Sequence, residues 1–129
     1  MSTLKTVRRH LKPGGVLVLD VWYGPAVLAQ RSGERVKVTR TSAGQLIRAA
    51  CGTLDTRQHL CEVRYHLWRM AGDRVVAETE ESHQMRYFFP LELELGLGQS
   101  GLALKSLTAF PSLDRPVDES TWNALAIVM

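Results

Sequence analysis

The sequence predicts an α/β fold in which a buried strand and short helices are interrupted by an antiparallel sheet. Three features of the 129 residues support this prediction. An apolar run from Val16 to Trp22 follows a short amphipathic segment, alternating apolar and polar residues occupy 35–85, and Pro90 is placed to begin a helix before two short apolar segments. The length suits one domain. We expect residues 1–129 to form a single domain in three parts: 1–31, 35–85 and 86–129.

The composition excludes several classes of protein. Hydrophobic residues make up 45% and charged residues 22%, so disorder is not expected. The longest uncharged apolar run, Val16 to Leu19, is far too short to span a membrane. The first five residues lack the apolar stretch of a signal peptide, so Cys51 and Cys61 are expected to be free thiols. We expect a soluble cytoplasmic protein with no membrane partner.

The N-terminal part predicts a helix followed by a central strand. Thr3 can cap a helix that runs to about Leu11, with Leu4 and Val7 on one stripe, and Pro13-Gly14-Gly15 ends it. The run from Val16 to Trp22 is apolar on both sides, which is typical of a central strand in a parallel sheet. The chain offers few helices to cover both faces. We therefore expect a homodimer, formed by sheet continuation or by exchange of the N-terminal helix and strand.

The middle part predicts an antiparallel sheet with one solvated face. Strands are expected at 35–41, 46–51, 58–69 and 74–85, with turns at 52–56 and 71–73. In the third of these strands Cys61 and Val63 point to one side, and Glu62 and Arg64 to the other.

The C-terminal part contains a misleading glycine motif. Residues 96–101 spell G-x-G-x-x-G, which binds dinucleotides only between a strand and a helix. Pro90 is expected to begin a helix that reaches these glycines, and Leu102 to Phe110 and Trp122 to Val128 are expected to be strands. The motif is therefore interpreted as the glycine-rich end of a helix.

Two segments resemble class I S-adenosylmethionine-dependent methyltransferases. Leu11-Lys12-Pro13-Gly14-Gly15, before the apolar run, is similar to the turn from the fourth helix into the fifth strand of that family. Arg86-Tyr87-Phe88-Phe89-Pro90-Leu91-Glu92-Leu93 is similar to a later helix start, and the last two strands resemble the family's terminal antiparallel pair. The antiparallel insert resembles the insert of methyltransferases that act on small molecules, in particular the amino-sugar N,N-dimethyltransferases. The resemblance implies the C-terminal half of a Rossmann-like methyltransferase sheet with an antiparallel β insert.

The same resemblance implies a role in binding the acceptor. The family binds S-adenosylmethionine through a glycine-rich turn after its first strand and an acidic residue at the end of its second strand. Neither precedes the apolar run here, so we expect no cofactor-binding residues, no cofactor bound by this chain alone and no activity without a missing N-terminal half. The alternative is a non-catalytic ligand-binding or oligomerisation module. A compact enzyme that uses the glycine motif is disfavoured.

The candidate site residues flank the end of the central strand. Trp22 and Tyr23 are expected to wall a pocket for a small-molecule acceptor, or to pack the insert onto the sheet. Asp20 can orient an amine or hydroxyl group, or bond a neighbouring backbone group. The resemblance places the insert's end near the acceptor, which makes Arg86 and Tyr87 substrate-binding candidates and His83 a candidate general base or hydrogen-bond partner. The alternative for His83 is a surface or hydrogen-bonded residue with no role in the site.

The remaining charged residues predict no further partner. The basic cluster Lys5, Arg8, Arg9, His10 and Lys12 is interpreted as the solvated face of a short helix rather than a nucleic-acid surface. His10 and His59 lack the spacing and companions of metal ligands, so no metal site is expected.

Overall fold

The computed structural model describes residues 2–129, which form two compact units. The terminal unit contains residues 2–30 and 87–129, and the insert unit contains 31–86. The elements, in chain order, are α1 (Ser2–His10), β1 (Leu17–Tyr23), α2 (Gly24–Gln30), β2 (Arg35–Thr41), β3 (Gly44–Asp55), β4 (Leu60–Ala71), β5 (Arg74–Phe88), α3 (Pro90–Gly98), β6 (Leu104–Ala109) and β7 (Asn123–Val128).

In the terminal unit, β1 is an internal strand of the sheet. It pairs antiparallel with β7 from Leu17 to Trp22, and β7 pairs antiparallel with β6. On its other side, β1 pairs in parallel with the last two residues of β5, through Trp22 with Tyr87 and Tyr23 with Phe88. The predicted central strand is therefore confirmed, and the parallel ladder beside it is short.

The hydrophobic core of the terminal unit lies on one face of β1. Leu93 and Leu97 of α3 join Leu102, Ala126 and Val128 in a buried cluster. Apolar residues packed against it come from α1 and the residue that follows it, Leu4 and Leu11, and from alternate positions of β1, Leu17, Leu19 and Val21.

The other face of β1 is not buried. Val16 and Val18 are 52% and 57% exposed, and Asp20 is exposed. This face of β1 is therefore left uncovered within the described residues, as the small number of helices predicted, because α1 and α3 contribute to the cluster on the opposite face only.

The glycine motif ends α3, as the sequence analysis expected. Gly101 adopts a left-handed conformation with φ of 70°. The Leu102 amide donates to the Leu97 carbonyl at 3.0 Å, and the Gly101 amide donates to the Gly98 carbonyl at 3.0 Å. This pair of bonds is the Schellman arrangement that closes helix C-termini. A strand follows instead of a helix, so the motif has no helix N-terminus to offer a phosphate.

The insert unit is a four-stranded antiparallel sheet in the order β2–β3–β4–β5. Cys61 and Val63 are buried while Glu62 and Arg64 are exposed, which confirms the predicted alternation along β4. The tight turn before β5 contains Gly72 with φ of 61°.

One predicted turn in the insert unit is wrong. Residues 52–55 continue β3, with Gly52 opposite Val63, and the turn lies at 56–59. Gly52 is required for close approach, because a Cβ at this position would lie 1.9 Å from Ser32 Oγ. The turn is formed by Asp55, whose Oδ1 accepts hydrogen bonds from the Arg57 and Gln58 amides at 2.9 and 3.0 Å.

Both cysteines are free, as expected. Cys51 lies opposite Arg64 and Cys61 opposite Leu54, so the two thiols do not face each other across the hairpin. None of the helices described between residues 2 and 129 combines the length and apolarity needed to cross a bilayer.

Candidate functional site

An aromatic cluster lies at the carboxyl end of β1. The parallel register places Trp22 beside Tyr87 and Tyr23 beside Phe88. Tyr87 is fully buried, whereas Trp22 and Tyr23 are half-buried and keep part of their surface accessible. Three of the predicted site residues therefore lie at the strand end, where open α/β sheets bind ligands, with Trp22 and Tyr87 on one face of the sheet and Tyr23 on the other.

Trp122 completes this cluster from the start of β7. Its ring meets the Trp22 ring edge to face, with centroids 5.1 Å apart and planes at 67°. The Tyr23 amide donates to the Trp122 carbonyl at 2.9 Å. Sequence reasoning missed Trp122 because its position depends on the antiparallel register of β7 with β1. The only indication in the sequence is an aromatic residue at the start of an apolar strand.

A polar pair lies beside the aromatic residues. Asp20 is two residues before Trp22 and therefore on the same side of β1. Its Oδ2 accepts a long hydrogen bond from Asn123 Nδ2, at 3.4 Å. The carboxylate is exposed, so it retains acceptor capacity for a bound amine or hydroxyl group.

Close packing sets the position of the loop after β1. A Cβ on Gly24 would lie 3.0 Å from two ring carbons of Phe89 and 3.1 Å from the Phe88 carbonyl oxygen. The Phe89 ring in turn meets the buried Tyr87 ring at 6.2 Å between centroids. Gly24 therefore allows α2 to begin directly against the aromatic cluster.

The remaining two candidates belong to the insert unit. His83 is exposed; its Nε2 lies 3.2 Å from Glu81 Oε2, and its ring meets Tyr65 at 5.8 Å between centroids. Arg86 is exposed and lies opposite Leu60 in the sheet. The structure thus groups Asp20, Trp22, Tyr23 and Tyr87 in one unit and His83 and Arg86 in the other.

The insert unit contains a cavity of about 680 Å³. Ala49, Ala50 and Cys51 of β3 contribute to its lining together with the larger Arg64 and Tyr65 of β4. Acidic groups also reach it: Glu34, Glu80 and Glu81. This volume is within the range of small-molecule sites, and the lining combines small apolar residues with charges of both signs.

His66 lies in a network of carboxylates beside that cavity. Its Nε2 contacts Glu78 Oε1, its Nδ1 is 3.4 Å from Glu80 Oε1, and its ring stacks on Trp68 at 3.9 Å. Trp68 Nε1 donates to the same Glu78 oxygen at 3.0 Å. The network holds these side chains in place on the β4–β5 pair. Among the described residues, no group of three or more histidine, cysteine or acidic side chains is arranged to hold a metal ion.

Burial and hydrogen bonding shift the pKa values of Cys61 and Asp118. Burial raises the pKa of the Cys61 thiol, and a hydrogen bond with Ser32 opposes this effect. Hydrogen bonds from the Ser120 side chain and amide and from Thr121 lower the pKa of the Asp118 carboxyl group. Neither group belongs to the aromatic cluster, so neither shift identifies a catalytic acid or base.

Comparison with known proteins finds matches among solved structures only. No protein-family model matches the sequence, and no curated protein matches it. Solved structures do match. An S-adenosylmethionine-dependent methyltransferase from Clostridium acetobutylicum has a TM-score of 0.76 and 19% identity; the match covers 97% of this chain and 48% of that one.

Two further matches are enzymes described as acting on sugars. The sugar N-methyltransferase KedS8 from Streptoalloteichus has a TM-score of 0.69 and 18% identity, with 96% of this chain and 46% of that chain covered. CalS10 from Micromonospora echinaspora, an amino pentose methyltransferase with S-adenosylmethionine bound, has a TM-score of 0.65 and 19% identity, with 98% and 49% covered.

The chain therefore spans about half the length of the solved structures that it matches. TM-scores of 0.65–0.76 establish the fold, and identities of only 18–19% leave the activity open. The protein has an α/β fold corresponding to about one half of an S-adenosylmethionine-dependent methyltransferase, as the resemblance of its sequence predicted.

Proposed function

We propose that this chain is the acceptor-binding half of an S-adenosylmethionine-dependent methyltransferase that acts on small molecules. The observation that carries the proposal is the position of Trp22, Tyr23 and Tyr87 at the carboxyl end of β1, where Trp22 lies beside Tyr87. Ligands of open α/β sheets bind beyond this end of the strands, and half-exposed aromatic faces suit a flat or cyclic ligand. The matched sugar methyltransferases favour an amino sugar as the acceptor.

The proposed roles follow from the contacts of each side chain. Trp22 and Tyr23 form the wall of the acceptor site, and Asp20 accepts a hydrogen bond from an amine or hydroxyl group of the acceptor. Tyr87 is proposed to support the wall from its buried position. In the insert unit, His83, held near Glu81, stays a predicted general base and Arg86 a predicted substrate-binding residue. Alignment of the reacting groups supplies much of the rate enhancement in such a reaction.

Cofactor binding is proposed to need residues beyond these 129. The glycine-rich segment at 96–101 ends a helix, and the amides of Gly101 and the following Leu102 already donate to carbonyls of that helix. It therefore does not fit the turn between a strand and a helix that a nucleotide-like cofactor requires. We propose that a further segment, on the same or another polypeptide, supplies the cofactor site.

Tryptophan fluorescence tests the acceptor site directly, because Trp22 and Trp122 lie within it. We expect D-glucosamine to change the emission of the wild-type chain, and D-glucose to change it less. Asp20→Asn should weaken the glucosamine response by about tenfold, since it removes a charge-assisted hydrogen bond. Asp73→Asn, in the β4–β5 turn, is the matched control and should bind as the wild type does. An identical response in both variants would contradict the assignment.

Calorimetric titration with S-adenosylmethionine tests the proposal that this chain binds the acceptor and that a further segment binds the cofactor. The 129-residue chain is expected to show no micromolar binding and no methyl transfer to an amino sugar. Tight binding by this chain alone would refute the statement that a further segment holds the cofactor. The acceptor site is tested separately, by the fluorescence experiment.

Self-association is the second function that we propose, and it is supported by the edge of β1. Within residues 2–129, the parallel ladder beside β1 covers only Trp22 and Tyr23, which leaves residues 17–21 without a strand on that side. This segment has no proline and a single charge, so it lacks the features that protect sheet edges. Exposed apolar residues lie on the same unit: Val16, Val18, Leu91 and Leu95.

We propose that two copies pair through this edge and form a homodimer. Sedimentation at low micromolar concentration should show a dimer for the wild type and a monomer for Val18→Lys. Val75→Lys, at a similarly exposed valine of β5, should remain dimeric. A wild-type monomer would contradict the dimer without bearing on the acceptor site. A cytoplasmic location is part of the proposal, supported by the two free cysteines.

A further inference from the structure

Helix α1 has an uncompensated positive surface. Its nine residues include Lys5, Arg8, Arg9 and His10 and no acidic residue. Lys5 is three and four residues before Arg8 and Arg9, so the three side chains leave the same surface of the helix. Like charges at this spacing repel one another. No carboxylate among the described residues forms an ion pair with any of the three.

A cavity lies beside these cations. Its volume is about 600 Å³, and its lining residues come from α1 and from the turn after α3: Lys5, Thr6, Arg8, Arg9, Gln99 and Ser100. The lining contains three positive charges and no negative charge. Gln99 and Ser100 belong to the G-x-G-x-x-G segment, and a Cβ on the neighbouring Gly98 would meet no atom within 4 Å. The turn therefore forms an open wall opposite the guanidinium groups.

The available donors suit an anion with several oxygens. Arg8 and Arg9 each present a planar set of N–H donors that matches phosphate geometry. Arg9 Nη2 donates to Thr6 Oγ1 at a long 3.4 Å, which leaves its other donors available. The exposed Gln99 adds an uncharged amide donor. Ser100 Oγ donates to the Gly96 carbonyl at 3.1 Å and is thereby held at the cavity wall.

We propose that this cavity binds the phosphate or pyrophosphate group of a small phosphorylated molecule. The cavity is open to solvent, and its volume is within the range of small-ligand pockets. A nucleic acid would need a longer basic stripe, and for RNA also interleaved aromatic residues, neither of which lines the cavity. The proposed contacts to the anion differ from those of a dinucleotide-binding glycine motif, because side chains and not a helix N-terminus hold the anion.

Calorimetric titration of the full 129-residue chain with inorganic pyrophosphate tests the site. We expect submillimolar binding that weakens as the salt concentration is raised from about 50 to 300 mM. Arg8→Gln/Arg9→Gln should weaken binding by about tenfold or more, because two charge-assisted contacts are lost. Lys37→Gln/Arg40→Gln on exposed β2 changes the net charge equally and should bind within about twofold of the wild type.

A second variant separates binding from helix stability, because Arg8 and Arg9 also lie in the last turn of α1. Gln99→Ala leaves α1 and the net charge unchanged and should weaken binding by about threefold through loss of one neutral hydrogen bond. No binding by the wild type, or equal losses in the arginine and β2 double variants, would overturn the site. Tighter binding of a single-stranded oligonucleotide than of pyrophosphate would overturn its assignment to a small ligand.

Discussion

The rings of Trp22 and Trp122, 100 positions apart in the chain, meet edge to face with 5.1 Å between their centroids. Aromatic pairs prefer this arrangement because the positive edge of one ring faces the negative face of the other. The contact joins the end of β1 to the start of β7 and supports one side of the candidate acceptor site. Both rings are half-buried, so the contact contributes to stability while the site remains open to a ligand.

Trp22→Ala should lower the free energy of unfolding by about 1–3 kcal/mol, through lost burial and the lost ring contact. Urea unfolding followed by far-ultraviolet circular dichroism measures this effect. The same variant should lose the near-ultraviolet dichroism that a coupled tryptophan pair produces. Trp22→Phe is the conservative control and should retain most of the stability. Equal decreases in the free energy of unfolding for both variants would show that the ring contact is not the source of the stabilisation.

Gly24→Ala should destabilise the protein by about 1–3 kcal/mol, because the new Cβ would be 3.0 Å from the Phe89 ring and must displace it. Gly33→Ala is the matched control, since a Cβ there meets nothing within 4 Å and its φ is not in the left-handed region. Thermal unfolding of both variants checks the prediction. A Gly24→Ala protein as stable as the control would mean that Phe89 is free to move.

The two cysteines should differ in their reaction with iodoacetamide. Cys51 is half-buried and should be alkylated in the native protein, whereas Cys61 is fully buried and burial raises its pKa, so little thiolate is available to react. Mass spectrometry of digested samples distinguishes the two sites. Both should react in denaturant. Native alkylation of Cys61 as fast as that of Cys51 would disprove its burial.

Asp118→Asn should destabilise the protein near neutral pH and lose this effect in acid. Asp118 Oδ1 accepts bonds from Ser120 Oγ at 2.6 Å, the Ser120 amide at 2.9 Å and Thr121 Oγ1 at 3.0 Å. These bonds lower the folded-state pKa, so the stabilisation is present above the unfolded value of about 3.9 and disappears as the pH falls through the lowered folded value.

Thermal unfolding of Asp118→Asn and of the wild type, measured from pH 7 to below pH 3, shows how their difference in stability changes with pH. Asp114→Asn, at an exposed carboxyl group in the same loop, is the control. A gap between Asp118→Asn and the wild type that persists unchanged into strong acid would contradict the linkage argument.

Local patterns were sufficient for most elements of this fold. The alternation in residues 35–41 predicts β2 with its observed bounds, and Pro90 predicts the start of α3 because its fixed φ and missing amide suit the first helical turn. The glycines at 96–101 are correctly interpreted as a helix end. The turn at 52–56 was misplaced because Gly52 serves a close contact with Ser32, and that contact is made by a residue twenty positions earlier.

The sequence by itself determined the element order and the central strand, because these depend on apolar periodicity that neighbouring residues encode. Its resemblance to class I methyltransferases implied the half-methyltransferase fold. Only the tertiary structure decided which residues form the site. Trp122 and Asn123 join Trp22 and Asp20 through the register of β7 with β1, and register is set by the packing of the whole sheet. The same is true of the single covered face of β1: a strand's apolar pattern indicates that it can be buried, and only the placement of α1 and α3 determines on which side.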